Sequence, residues 1–489
     1  MKKWIILSAL LLAGCSNKPS TLYDNKDADI LFDASHGQTA GEADWVIDGG
    51  FSSFNDALLK KQYKTTSTKY NDEFTFEKLK HYKVVIIPEP NIPFKVEEQD
   101  ALKRYVKEGG SVMFIADHYN ADRNLNRFDS SEIFNGYRRG AFNDITKGMS
   151  DGEKQSERMK NVKSSDFLAE TFGVRFRYNA LNNVVIQTDS AHDAFNLLKG
   201  VKRVNMHAGS TIAITNPDIA KGIIYPGKLT SRDKWPHAVD DGVYSNGRTD
   251  EGAFVAISKY NKGKAVFIGD SSIIEDDTPK YVREDNGNSK NTYDGFNEAD
   301  HKTLLNNLVD WLAKQENYTS LREKTELDQK TPLLKMEIPE QSKELKKEPW
   351  RTPSYGYLWY DPSTFKEGSF GASSTSNKET ASKVDKSSSN VRIEAPSSVR
   401  PRDYIKIDVY HNEALQDVSV ELIDAKGAQV GLFNGRPPGK SDTYDMKRES
   451  NRYHCYFNGK IAREASRSIQ LNLYRGGQLI ETKKIKVEG

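Results

Sequence analysis

The stretch Arg104 to Arg127, RYVKEGGSVMFIADHYNADRNLNR, constrains the fold more than any other. Apolar Leu102, Tyr105 and Val106 recur at helical spacing, Gly109-Gly110 ends that helix, and Ser111 to Ala116 is dense in apolar residues like a buried strand. The apolar run then stops. Asp117, His118, Tyr119, Asn120, Asp122, Arg123, Asn124, Asn126 and Arg127 follow, too polar for a core and too rich in side-chain chemistry for a plain connector. Helix, glycine pair, buried strand and polar exit make one unit of a parallel α/β sheet, and ligands bind such sheets where the strand C-terminal ends meet.

The pattern recurs along the chain. DILFD (29–33) runs into Ala34-Ser35-His36-Gly37-Gln38, and VVIIP (84–88) exits into Glu89-Pro90-Asn91. Amphipathic helices are expected around Phe51–Leu59 and 96–108, and a hairpin pairs Ala253–Tyr260 with Lys264–Ile268 before Gly269-Asp270-Ser271-Ser272 and Glu275. Helical spacing of Leu304, Leu305, Leu308 and Leu312 closes the unit near residue 317. The expectation is a doubly wound, mostly parallel α/β domain over 28–317, with further short strands at 174–178, 184–188, 203–206 and 211–214. Residues 318–389 read as a linker, low-complexity towards its end, with an aromatic strap at 349–370 (EPWRTPSYGYLWYDPSTF). The strap is expected to pack on the main domain, with a sugar-stacking platform as the alternative. Short alternating strands over 390–489 predict a small β-sandwich.

The first residues, MKKWIILSALLLAGCSNKPS, carry two lysines, a short apolar run and Leu12-Ala13-Gly14-Cys15. They resemble a bacterial lipoprotein signal peptide over 1–14, which implies lipidation of Cys15, a polar tether over 15–27, and an extracytoplasmic protein anchored to a membrane of the cell envelope. Cleavage would remove two of the 71 lysines and arginines and leave 69 against 69 acids, so no global field attracts polyanions. Cys455 would be the remaining cysteine, a small buried hydrophobe rather than half of a disulfide. No glycine-rich nucleotide loop, HExxH or paired CxxC occurs, so any metal would be an oxygen-bound divalent cation. Basic Arg436, Lys440, Lys447, Arg448, Arg452, Lys460, Arg463 and Arg467 leave open an envelope protein, an anionic polymer or nucleic acid as partner of the sandwich; a solvated face is commoner.

ILFDASHGQ, VVIIPEPN with VEEQDALKRYVKEGGSVMFIAD, and GKAVFIGDSS are similar to the class I glutamine-amidotransferase-like superfamily. Within it the chain resembles bacterial families related to the GIFT domains of gliding and intraflagellar-transport proteins. That likeness implies an amidotransferase- or flavodoxin-like sheet. In true amidotransferases the strand after the glycine pair leads to a cysteine nucleophile; here it leads to Asp117-His118 and the domain has no cysteine, which excludes glutaminase chemistry.

Four exits are expected to converge. His118, His36 and Asp117 are the acid/base candidates, and Asp33, Ser35, Gln38, Glu89, Asn91, Asn120, Asp122, Arg123, His207, Asp270, Ser271 and Glu275 the ligand-binding ones. Asp33, Asp117 and Asp270 are candidate metal ligands; taken singly, each is as readily a helix cap or loop brace. Ser35 or Ser271 as a nucleophile is a minor alternative. The functional expectation is a lipid-anchored envelope protein that binds or hydrolyses a polar glycan or phosphate-bearing ligand. The alternatives are a non-catalytic envelope scaffold and an envelope DNA-binding protein or nuclease.

Overall fold

A computed structural model describes residues 28–42, 44–119, 125–238, 246–343 and 353–372, and from 391 to 488 all but 426, 434–437, 450, 451, 464, 466 and 467. The signal peptide, Cys15, the tether, Asn120, Asp122 and Arg123 lie outside the described residues, as do Arg436 and Arg467.

Strands β1 (Ile30–Phe32), β2 (Thr65–Ser67), β3 (Val84–Pro88), β4 (Ser111–Ile115), β5 (Val174–Phe176), β6 (Val184–Gln187), β7 (Arg203–Met206), β8 (Ile212–Ile214), β9 (Ala220–Ile224), β10 (Val255–Tyr260) and β11 (Gly263–Ile268) precede the linker. Seven form one sheet in the order β2-β1-β3-β4-β11-β10-β9. β2, β1, β3, β4 and β11 are mutually parallel, and β10 runs antiparallel to both β11 and β9. The register sets Phe32 opposite Ile86, Pro88 opposite Ile115, and Ile115 opposite Ile268, so β1, β3, β4 and β11 end at one edge.

Alternation along these strands feeds two apolar layers. Phe32, Val84, Ile86, Met113, Ile115 and Val266 pack beneath helices Ser52–Lys60 and His301–Ala313. Leu31, Val85, Ile87, Val112, Phe114 and Phe267 face helices Val96–Lys107, Ser130–Asn135 and Phe167–Phe172. The glycine pair that organises the sequence has a steric reason. Gly109 has φ +121°, and a Cβ on Gly110 would lie 2.2 Å from the Tyr105 ring, so a side chain there would push the helix off the start of β4.

β2 and β9 escaped the sequence pattern because TTS is a polar edge segment and AKGII is broken by Lys221 and Gly222. The helix Phe167–Phe172 ends where Gly173 turns left-handed.

After the linker come β12 (Arg392–Glu394), β13 (Ser398–Val399), β14 (Tyr404–His411), β15 (Val418–Asp424), β16 (Gly431–Phe433), β17 (Lys447–Glu449), β18 (Arg452–Ile461), β19 (Ser468–Arg475) and β20 (Gln478–Val487). They form two mainly antiparallel sheets around one apolar core, to which Ile405, Ile407 and Phe457 come from one sheet and Val420, Leu471 and Ile485 from the other. Cys455 is buried there, and burial pushes its thiol up to about 12.

Among the described residues the linker is fastened to the α/β unit at several places, including a buried aromatic pair and a buried ion pair. Tyr357 and Trp359 are buried against it, with Tyr357 Oη donating to Asn126 Oδ1 (3.0 Å) and Trp359 Nε1 to Glu153 Oε1 (3.0 Å). Glu337 accepts Nε and Nη2 of Arg177, both at 2.8 Å, in a bidentate pair that is fully buried. Removing one partner of such a pair strands the other charge in the interior. The substitution Glu337→Ala is therefore expected to lower unfolding stability by about 3 kcal/mol or more in urea titration, against less than about 1 kcal/mol if the linker merely rests on the surface.

Candidate functional site

Parallel strands that stop at one edge turn their chain ends into loops with unpaired N–H groups, and buried acids at these exits accept them. At the end of β1, Asp33 accepts Ser35 N (3.0 Å), Ser35 Oγ (2.8 Å), Thr68 Oγ1 (3.2 Å) and Gln38 Nε2 (2.8 Å), and its Oδ2 lies 2.8 Å from His36 Nδ1. The other ring nitrogen, Nε2, meets Glu98 Oε1 at 3.0 Å. Glu98 also receives the backbone N–H of Phe74 and Lys95, and the rings of Phe74 and Phe94 lie 4.8 Å from that of His36. Burial alone would lower the His36 pKa, but Asp33 and then Glu98 outweigh it and hold the imidazole up at about 10. Burial likewise opposes the ionisation of Glu98, yet His36 and the two N–H donors bring it down to about 2.

A second nest lies at the ends of β4 and β11. Ser271 Oγ donates to Glu275 Oε1 (2.7 Å) and lies 3.4 Å from Asp117 Oδ2. Glu275 also accepts Trp45 Nε1 (2.7 Å) and Tyr293 N (2.7 Å). Asp270 accepts Ser272 N (2.8 Å) and His207 N (2.6 Å); burial, and then the nearby charge of Asp117, push its carboxyl up to about 7. His118 N bonds Asp117 Oδ1 at 2.6 Å.

Above this nest opens a cleft of about 270 Å³ lined by Asp117, His118, Asn183, His207, Ala208, Trp235, Ser272 and Tyr293. The Trp235 ring lies 4.5 Å from that of His118, and the Tyr293 ring 4.3 Å from that of His207. His207 Nε2 meets Glu298 Oε2 at 2.7 Å, Nδ1 meets Asn183 Oδ1 at 2.9 Å, and Tyr293 Oη donates to Glu298 Oε1 at 3.0 Å.

The edge thus divides. Asp33, Ser35, His36 and Gln38 form one closed network, whereas Asp117, Asp270, Ser271 and Glu275 form the floor beneath the cleft. Glu89, with φ +30°, and Asn91 lie buried at the β3 exit between the two. Both ring nitrogens of His36 are engaged by carboxylates, so the structure gives it a fastening role instead of proton transfer to a ligand. Asp33 is saturated by its neighbours, and among the described residues no three His, Cys, Asp or Glu side chains are grouped to hold a metal ion, so Asp33, Asp117 and Asp270 are not brought together as a ligand set. Ser35 and Ser271 are wholly enclosed. Sequence reasoning missed Glu98, Asn183, Trp235, Tyr293 and Glu298. Trp235 and Tyr293 were visible only as aromatics in polar loops, and Glu98 only as helix N-terminal charge.

Residues 30–128 match the family model described as the IFT52 GIFT domain. Among solved structures, the N-terminal domain of mmIFT52 is 14% identical, covering 59% of this chain and 99% of its own, with a TM-score of 0.37. A putative lipoprotein from Bacillus anthracis is 14% identical over 23% of this chain and 86% of its own (TM-score 0.17), and the human F-spondin reeler domain 7% identical over 22% and 94% (TM-score 0.16). No curated protein matches.

The His36 network sets a pH dependence with a definite sign. Its raised pKa makes a contribution that is complete below the unfolded value of ~6.5 and fades as pH rises through about 10. The lowered Glu98 contributes above its unfolded ~4.3 and loses that contribution as pH falls through about 2. Thermal melts should show wild type losing its advantage over the His36→Gln variant between pH 7 and pH 10; a difference that stays constant over that range would refute the buried ion pair.

Proposed function

We propose that this protein is a glycan-binding protein of the cell envelope, anchored through Cys15, whose ligand lies in the cleft above Asp117. One observation carries the reading: Trp235 and Tyr293 wall a cleft whose other groups are hydrogen-bonding imidazoles, a carboxylate, an amide and a hydroxyl. Sugar rings present apolar faces to aromatic walls and hydroxyls to such polar groups. A phosphate would call for guanidinium or ammonium donors, and among the described lining residues there is no Lys or Arg. The described lining of this cleft therefore supports the glycan over the phosphate-bearing alternative there.

The amidotransferase-like reading is supported by the shared edge of β1, β3, β4 and β11 and by the GIFT-domain match, with Asp117-His118 at the position where the amidotransferase cysteine would follow. A scaffold role draws support from the Asp33–His36–Glu98 half of the edge, where both ring nitrogens of His36 are taken by carboxylates. The anchor rests on the LAGC segment at 12–15. Among the described residues no helix is long and apolar enough to cross a membrane.

Calorimetric titration of the full chain in detergent with xylo-, chito- and malto-oligosaccharides is expected to give saturable binding to at least one series. Trp235→Ala should weaken it at least tenfold, about 1.4 kcal/mol, without shifting the thermal midpoint. Competition by inorganic phosphate would instead favour the anionic ligand, and unchanged affinity in the Trp235 variant would remove the cleft from the account. For the anchor, wild-type cells fed labelled palmitate should yield labelled protein in the membrane fraction, and Cys15→Ser should abolish the label.

A further inference from the structure

The cleft contains one arrangement that binding alone does not require. His207 stands in its wall with Nε2 2.7 Å from Glu298, and Glu298 is itself fixed by Tyr293 Oη at 3.0 Å and by Asn205 Nδ2 at 3.4 Å. The backbone is fixed as well: His207 N is held by the buried Asp270, and Ala208 sits in the left-handed region at φ +63°. A carboxylate accepting Nε2–H holds the imidazole in the tautomer whose Nδ1 carries the lone pair. Nδ1 lies 2.9 Å from Asn183 Oδ1; that tautomer calls for the amide to be turned over so that Nδ2–H donates to the lone pair, and the exposed Asn183 is a partner that a ligand entering the cleft can displace.

We propose that the cleft hydrolyses O-acyl esters carried by its glycan, with His207 as general base and Glu298 as the residue that positions it. The proposal rests on the glycan reading for its substrate and on the dyad for its chemistry. Cleavage of the glycosidic bond itself fits poorly, since it calls for two carboxyl groups flanking that bond. Asp117 lines the cleft, whereas Asp270 is fully buried and occupied by two backbone donors. A serine nucleophile fits no better, because the Ser271 hydroxyl is buried and donates to Glu275 instead of to an imidazole. Water remains as the nucleophile. Nδ1 of His207 takes a proton from water as the water oxygen bonds to the acyl carbon, and the carbonyl π pair moves onto its oxygen. When that pair returns, the bond between the acyl carbon and the sugar oxygen breaks, and the sugar oxygen takes the proton back from Nδ1–H. Ester and water become carboxylic acid and alcohol, His207 is again neutral, and Glu298 stays ionised throughout, stabilising the transient imidazolium.

The test uses the full chain with two probes, 4-methylumbelliferyl acetate and an O-acetylated xylo-oligosaccharide, and follows release of acetate. Wild type is expected to exceed the buffer rate on both. His207→Gln and Glu298→Gln should each lower kcat by about 10²- to 10⁴-fold, the range of general-base and orienting-carboxylate losses. Glu298→Asp should recover part of the rate, and the acid limb of the pH profile of kcat/KM should disappear with His207. Glu298 is about one-third exposed, so its variant should keep the wild-type thermal midpoint, and its loss should fall on kcat far more than on KM, as a positioning role demands. Wild-type turnover at the buffer rate, or full activity in either the His207→Gln or the Glu298→Gln variant, overturns the proposal. Oligosaccharide binding without His207-dependent hydrolysis leaves the glycan reading standing and removes this one. His207-dependent hydrolysis of the umbelliferyl ester without oligosaccharide affinity does the reverse.

Discussion

The constraint on which the rest of the molecule depends is that β1, β3, β4 and β11 are parallel and stop level with one another. Each then delivers its chain to a loop packed among other loops, away from water that would otherwise satisfy the freed backbone groups. Buried N–H groups without acceptors cost free energy on the scale of a lost hydrogen bond each. Asp33, Asp117 and Asp270 meet that need at three of the four exits, so the acids at the strand ends are first of all the means by which the edge can be packed. Their chemistry with a ligand is what remains after that demand is met.

That priority decides where an opening survives. The crevice in a sheet of this order is expected between β1 and β3, where the chain stops adding strands on one side and begins on the other. Here an ion pair closes the strand ends beneath a cleft of about 280 Å³ lined by His36, Glu98, Lys95, Arg158 and Tyr360. His36 lies between Asp33 and Glu98 and is wrapped by Phe74 and Phe94, an imidazolium whose removal from water is offset by two carboxylates at hydrogen-bond distance. A second opening lies beside β4 and β11, next to the point where β10 reverses the sheet. There Asp117 and Asp270 are close enough for one to disfavour ionisation of the other.

The parallel strands, their exits and the helices of residues 96–108 and 301–313 were legible in the sequence because each carries a period or an apolar run ended by glycine or a polar burst. The convergence of Asp33, Asp117 and Asp270 was legible only as a shared edge. Which of them would be enclosed was not, since that depends on Glu98, 62 residues from His36, arriving from a helix whose acids look like ordinary first-turn charges. Trp235, Tyr293 and Glu298 were illegible for a related reason. They lie in loops without periodicity, and their meaning comes from His207 at the β7 exit for Tyr293 and Glu298 and from His118 at the β4 exit for Trp235, to which no local pattern connects them.

The cleft draws on chain segments around residues 117, 183, 207, 235, 272 and 293, and two buried carboxylates hold much of it in place. Asp270 ties the backbone of His207 to that of Ser272; Glu275 ties Trp45, Ser271 and the backbone of Tyr293. The enclosed acids and the accessible rings are therefore parts of one arrangement, a fixed polar floor under a more exposed rim. Precise placement of groups that meet a ligand requires partners that are themselves held. This floor supplies them, and it also brings carboxyl groups close beneath the cleft. Under the reading proposed above, a neutral, hydroxyl-rich molecule would accept such a floor at little electrostatic cost.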